Sequence, residues 1–98
     1  MRIPKIRNIE TAVNIYYENI ELDSSAIQNL FIPQKGSGIS TAKIAALKDM
    51  AREKMKEEGI PVYNGFRVNT EAAFKAWGLD IGDLEARYRK MQKLKIGG

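Results

Sequence analysis

Apolar residues recur along this chain at helical spacing in five stretches, with one short β-prone run between the third and fourth. Ile9, Val13, Tyr16, Tyr17 and Ile20 fit one broad face of a first helix capped by Asn8, the two tyrosines as core and core edge. Ile27, Leu30 and Phe31 face inward from a short second helix capped by Asp23 or Ser24. The third helix is longer and has clear ends. Ser40 is its N-cap, and Ile44, Leu47, Ala51 and Met55 form its inward stripe. It closes at Glu58, where Gly59 suits the left-handed residue after the cap, Ile60 the closing apolar contact, and Pro61 bars continuation. Asn69 caps a fourth helix, Thr70 to Trp77, with Ala73, Phe74 and Trp77 inward and Gly78 ending it. Asp80 caps a fifth, running to about Leu94, with Ile81, Leu84, Tyr88, Met91 and Leu94 on one face. That last stripe either finishes the core or forms a dimer seam.

The run Pro61-Val62-Tyr63-Asn64-Gly65-Phe66-Arg67-Val68 places Asn-Gly between β-prone residues, a strong local hairpin signal. The expected product is a small wing with Asn64-Gly65 at its tip and Arg67 beside it, packed on the helices because so short a hairpin is marginal alone. The expected fold is therefore mainly α, about five helices with a small β-hairpin wing, in one domain. Residues 1–7 form a basic arm, 8–58 the helical part, 59–68 the wing and 69–96 the C-terminal helices.

Charge refines this picture more than composition does. The 98 residues carry a net charge of +4, unevenly spread. Arg2, Lys5 and Arg7 lie at the start; from Glu10 to Gln34 there are acids and no Lys or Arg; from Arg87 to Lys95 there are cations and no acid. Such a chain can turn one face to a polyanion. Glu18, Glu21 and Asp23 surround the end of the first helix, where the helix dipole disfavours acids unless a base from elsewhere answers them. The chain has no Cys and no His, which removes disulfides, thiolate and imidazole metal sites, and histidine acid–base or triad chemistry. Glu57-Glu58 and Asp80 with Asp83 are explained locally, by a solvated helix end and by an N-cap with a first-turn acid. No enzyme activity, cofactor or small-molecule substrate is expected. No apolar run is long enough to span a bilayer, and a cytoplasmic location without membrane contact is the expectation.

One stretch carries a resemblance. Gly38-Ile39-Ser40-Thr41-Ala42-Lys43-Ile44-Ala45-Ala46-Leu47 resembles the back half of a helix-turn-helix, with Ile44 and Leu47 as its anchors and Ile27 and Leu30 matching the front half. The turn, Phe31 to Ser37, is longer than usual. Further on, Gly59-Ile60-Pro61, a hairpin ending in Phe66-Arg67-Val68 and a helix closing in Ala76-Trp77 look like the wing region of excisionase-type and MerR-like DNA-binding domains, in the same order. The resemblance implies a winged helix-turn-helix-like fold that binds double-stranded DNA. It suggests a phage or mobile-element setting: a regulator, a recombination accessory factor, or a DNA-recognition protein like a terminase small subunit.

In that arrangement the helix from Ser40 enters the major groove, and Arg67 meets the adjacent minor groove or backbone. Lys35, Lys43, Lys48 and Arg52 contact phosphates. Thr41, Ala42, Ala45 and Ala46 stand where bases are usually read. An alanine can touch a thymine methyl but cannot hydrogen-bond, so shape, the wing or a second subunit must add specificity. A homodimer through the C-terminal helix is one source of that second subunit. Lys35 with its neighbouring glycines admits two readings, a phosphate-approaching loop or a plain flexible turn. The competing function class is a small helical adaptor or phage structural assembly protein that binds a protein partner through its C-terminal helix.

Overall fold

The computed structural model describes residues 3–32, 39–62 and 66–97. The chain runs α1 (Ile9–Glu18), β1 (Glu21–Leu22), α2 (Ser24–Leu30), α3 (Thr41–Glu57), β2 (Val68–Asn69), α4 (Thr70–Ala76) and α5 (Ile81–Gly97). It is mainly helical, with one small two-stranded antiparallel sheet.

Every helix start is set by a side chain one residue ahead of it. The Asn8 side chain accepts from the Thr11 amide at 2.7 Å, Asp23 from Ala26 at 2.9 Å, and Ser40 from Lys43 at 3.2 Å. Asn69 accepts from Ala72 at 2.9 Å, and Asp80 from Gly82 at 2.9 Å. Each satisfies an amide that the first turn leaves without an intrahelical partner. Two helix ends are closed by the same device. After α3, Gly59 takes φ of 72° and the Ile60 amide donates back to Met55 at 2.8 Å. After α4, Gly78 takes φ of 73° and Leu79 donates to Phe74 at 2.8 Å. Both are left-handed C-terminal closures in which glycine avoids a Cβ clash.

The core lies between α3 and the elements around it. Ile44, Leu47, Ala51 and Met55 of α3 meet Ile27, Leu30 and Phe31 on one side and Ala73, Phe74 and Trp77 on the other. The Trp77 indole stands edge-on to Phe31 at 5.4 Å, and its N–H donates to the Leu47 carbonyl at 3.0 Å. That bond removes the penalty of burying the indole's polar atom.

Three features were not expected. First, β2 pairs with a segment far back in the chain. Its partner is β1, with Leu22 opposite Val68 and Glu21 opposite Asn69, and Pro61 and Val62 are not in a strand. Thr70 reinforces this contact, its hydroxyl donating to the Asn19 carbonyl at 2.6 Å and its amide to Ile20 at 3.0 Å. The Asn64-Gly65 turn lies outside the described residues.

Second, the basic N-terminal segment is not a loose arm from Ile3 onward. Ile6 bridges to Phe31, the Arg7 amide donates to Leu30 at 2.8 Å, and the Ile32 amide donates to Lys5 at 2.9 Å. Third, apolar periodicity runs past the core at two places. α1 stops at Glu18, the chain turns extended at Asn19, and Ile20 is left exposed. Tyr17 is also exposed rather than at the core edge. Along α5 Leu84 alone is buried among the described residues, while Met91 and Leu94 are exposed.

Candidate nucleic-acid interface

Residues 33–38 separate α2 from α3, and Lys35 falls among them, outside the described residues. Where the chain re-enters at Ile39, one side chain holds it. The Gln28 amide group donates to the Ile39 carbonyl at 2.7 Å and accepts from the Ile39 amide at 2.9 Å. This two-point clasp fixes the start of α3 against α2 despite the long connection. Ile39 itself is buried and acts as a stop for the helix.

From that start the first two turns of α3 present Ser40, Thr41, Ala42 and Ala45 to solvent, with Lys43 half-buried beside them. The surface is small, uncharged and free of large apolar groups. Further along, the same face changes character. Asp49 and Glu53 are exposed there, and Arg52 binds Asp49 at 3.1 Å. Helical spacing places Asp49 and Glu53 near the middle of the outward face, opposite the buried stripe. The cationic stripe expected through Arg52 is therefore interrupted by carboxylates.

Lys48 occupies a different place from the one expected. It is buried, and its ammonium donates to the Ser24 hydroxyl at 2.8 Å and to the Phe66 carbonyl at 2.7 Å. With its charge committed to the fold, it does not extend outward to a phosphate. The sequence held a signal for this: Ile44, Ala51 and Met55, its neighbours at helical spacing, are all core residues. The consequence is architectural. Lys48 ties the residues before β2 to the flank of α3 and to the start of α2. Phe66 and Arg67 are both exposed on that segment, and Arg67 follows the residue whose carbonyl Lys48 holds. Arg67 thus follows a residue held to α3 at Lys48, about two turns beyond Thr41.

Elsewhere the charged side chains mostly answer one another. Lys75 binds Glu58 at 3.0 Å, which raises the lysine's pKa above its ordinary value. Lys54 pairs with Glu57 at 3.4 Å. Burial pushes the Tyr16 phenol up, with Glu71 and then Glu85 adding to it against Lys75. Among the described residues, no group of three or more acidic side chains is placed to hold a metal ion, and no helix is long and apolar enough to cross a membrane.

No protein-family model matches this chain, and no curated protein or solved structure matches it.

Proposed function

We propose that the protein binds double-stranded DNA in the manner of a winged helix-turn-helix, with the first two turns of α3 in the major groove. The observation that carries this reading is an exposed start of α3 made of small residues with Lys43 beside them, together with an arginine-bearing segment fastened by Lys48 about two turns further along the same helix. A helix seated on its apolar stripe, with small residues at its exposed N-terminal end, can approach base edges closely. The order of elements supports the reading too: helix, strand, helix, helix, then a strand that pairs with the first. Asp49 and Glu53 limit the geometry. They repel phosphates along the middle of α3, so the helix enters by its N-terminal end rather than lying along the groove. Asp49 can accept from a cytosine amino group where the third turn reaches a base.

Within this reading Lys43 and Arg67 are the phosphate or groove contacts, and Ser40, Thr41 and Ala45 line the approach. Arg52 supplies positive charge moderated by Asp49. The setting follows the resemblance, a small DNA-recognition protein of a phage or mobile element.

The test is binding of the whole chain to mixed-sequence duplex DNA across a salt series. The double variant Lys43→Ala with Arg67→Ala is expected to weaken binding and to flatten the log–log salt slope by roughly 0.9 per lost phosphate contact. Unchanged affinity and slope would remove this face from any DNA interface.

A further inference from the structure

Two surfaces of this molecule lack a partner among the described residues, and they are opposite in charge. The first lies at the end of α1. Tyr17 is 64% exposed and Ile20 86%. Glu21 follows them in β1 and Glu71 stands on the adjoining α4, and neither forms an ion pair among the described residues, while Glu18 lies in a separate groove shared with Arg7. The last turn of α1 holds no basic residue, so these acids sit where the helix dipole is already negative. Between the apolar side chains and α4 is an open groove of about 240 Å³, lined by Tyr16, Tyr17, Ile20, Thr70 and Glu71.

The second surface is the last part of α5. Exposure along its apolar stripe rises from 8% at Leu84 to 43% at Met91 and 76% at Leu94. Arg87 and Arg89 turn back to Asp83 and Glu85, at 3.1 Å and 3.6 Å. Lys90 and Lys93 form no ion pair among the described residues, and no acid follows Glu85 in the sequence.

These surfaces cannot meet within one molecule. Tyr16 shares a groove with Asp80 and Ile81 at the very start of α5. Leu94 is roughly 20 Å further along that helix, at about 1.5 Å of rise per residue. Nor do two α5 ends suit each other. A two-fold seam centred on Met91 and Leu94 would crowd Lys90 and Lys93 of both copies together, and no acid follows Glu85 there to offset them.

We infer that the chain assembles head to tail with further copies of itself, the end of α5 of one copy docking on the Tyr17–Ile20 groove of the next. Met91 and Leu94 fill the groove. Lys90 and Lys93 face Glu21 and Glu71, adding cations beside an α1 end whose last turn holds none. Such a contact uses a different patch on each partner, so it continues into a ring or a chain rather than stopping at two. It leaves the exposed face of Thr41, Ala42 and Ala45 uncovered, and so it stands apart from the DNA reading.

The test is sedimentation velocity of the whole chain over a range of concentration and salt. The expected result is a mass that climbs past the dimer with concentration and falls as salt screens the charges. Ile20→Asp removes one half of the contact and Leu94→Asp the other. Each lowers self-affinity about tenfold or more, as loss of a central anchor does, and each keeps the parent's melting temperature because both side chains are exposed. Mixing the two variants is decisive. Ile20→Asp still offers an intact α5 end and Leu94→Asp an intact groove, so together they form a one-to-one pair and stop there. A parent protein that stays monomeric at every concentration in low salt overturns the inference. So does a dimer that Ile20→Asp leaves intact, which would mean a symmetric α5 seam. Loss of DNA affinity without change of mass in Lys90→Glu with Lys93→Glu also overturns it, assigning those cations to nucleic acid.

Discussion

Lys48 offers the sharpest test of the fold, because its position sets two effects against each other. Its ammonium gives up water to bind the Ser24 hydroxyl and the Phe66 carbonyl. Hydrogen bonds from a charged group contribute about 1.5–3 kcal/mol each, but withdrawing the charge from water costs several kcal/mol in return. The polar gain and the desolvation cost largely cancel, and what remains is the packed stem. Replacing Lys48 by Ala removes three methylenes at about 0.8 kcal/mol each, or about 2.4 kcal/mol. Two acceptors that lose their donor add about 1 kcal/mol. The expected loss is therefore about 3 kcal/mol, a large share of the 5–15 kcal/mol typical of a native domain. Lys48→Met keeps the stem's volume and gives up both charge and bonds, so it should lie within about 1 kcal/mol of the parent. Urea unfolding followed by Trp77 fluorescence measures both variants. A Lys48→Ala protein within about 0.5 kcal/mol of the parent would place the ammonium in solvent and refute the argument, since that is the range of surface substitutions. DNA binding supplies a second readout. If Lys48 acts only by positioning the Arg67 segment, Lys48→Met should cost nothing further in an Arg67→Ala background. A direct phosphate contact would instead add its own loss there.

Trp77→Ala should destabilise by about 3–5 kcal/mol, chiefly through the cavity it leaves against Phe31; parent fluorescence readily quenched by iodide would contradict this burial. Gln28→Ala removes both bonds to Ile39 and should cost about 1–3 kcal/mol, with faster amide exchange at Ile39 as the local sign. The Tyr16 phenol, raised above its ordinary 10.0 first by burial and then by Glu71, holds its proton more tightly in the native state than in the unfolded chain. Its contribution is thus fully present below about pH 10 and is lost as pH rises through the native value. Tyr16→Phe should remove that part of the alkaline loss, and a pH–stability curve identical to the parent's would show that the phenol does not titrate with unfolding.

Much of the helical frame was legible because its causes are local. Asn8, Asp23, Ser40, Asn69 and Asp80 each precede a helix whose first amides they satisfy, and Gly59 and Gly78 sit where left-handed closure is needed. The inward positions of α3 followed from spacing alone. What failed was non-local. A two-residue strand carries no readable period, so nothing in Val68–Asn69 named Glu21–Leu22 as its partner. Periodicity also says which face of a helix is apolar and not what covers it. The same pattern therefore served for buried Leu84 and exposed Leu94. At the candidate site, Ser40, Thr41 and Ala45 were placed by the helix start, while the Gln28 clasp and the Lys48 tie needed the tertiary structure to be seen.

The distribution of carboxylates connects the two proposed contacts. A DNA-binding surface works by concentrating positive potential, yet Asp49 and Glu53 sit on the outward face of α3, and Glu18, Glu21 and Glu71 surround the end of α1. In the proposed DNA reading these acids oppose phosphate contact along the middle of α3 and at the end of α1. Assembly changes that without adding any residue. Each head-to-tail contact places the cations of one α5 against acids that would otherwise repel the nucleic acid, and it repeats the α3 start and Arg67 at a fixed spacing. Two linked sites reach an avidity that neither has alone, provided the geometry lets both engage at once. In these two proposals, specificity that Ala42, Ala45 and Ala46 cannot supply by hydrogen bonding resides in the spacing between copies. DNA with two sites at the matching separation should bind cooperatively to the parent and independently to Ile20→Asp.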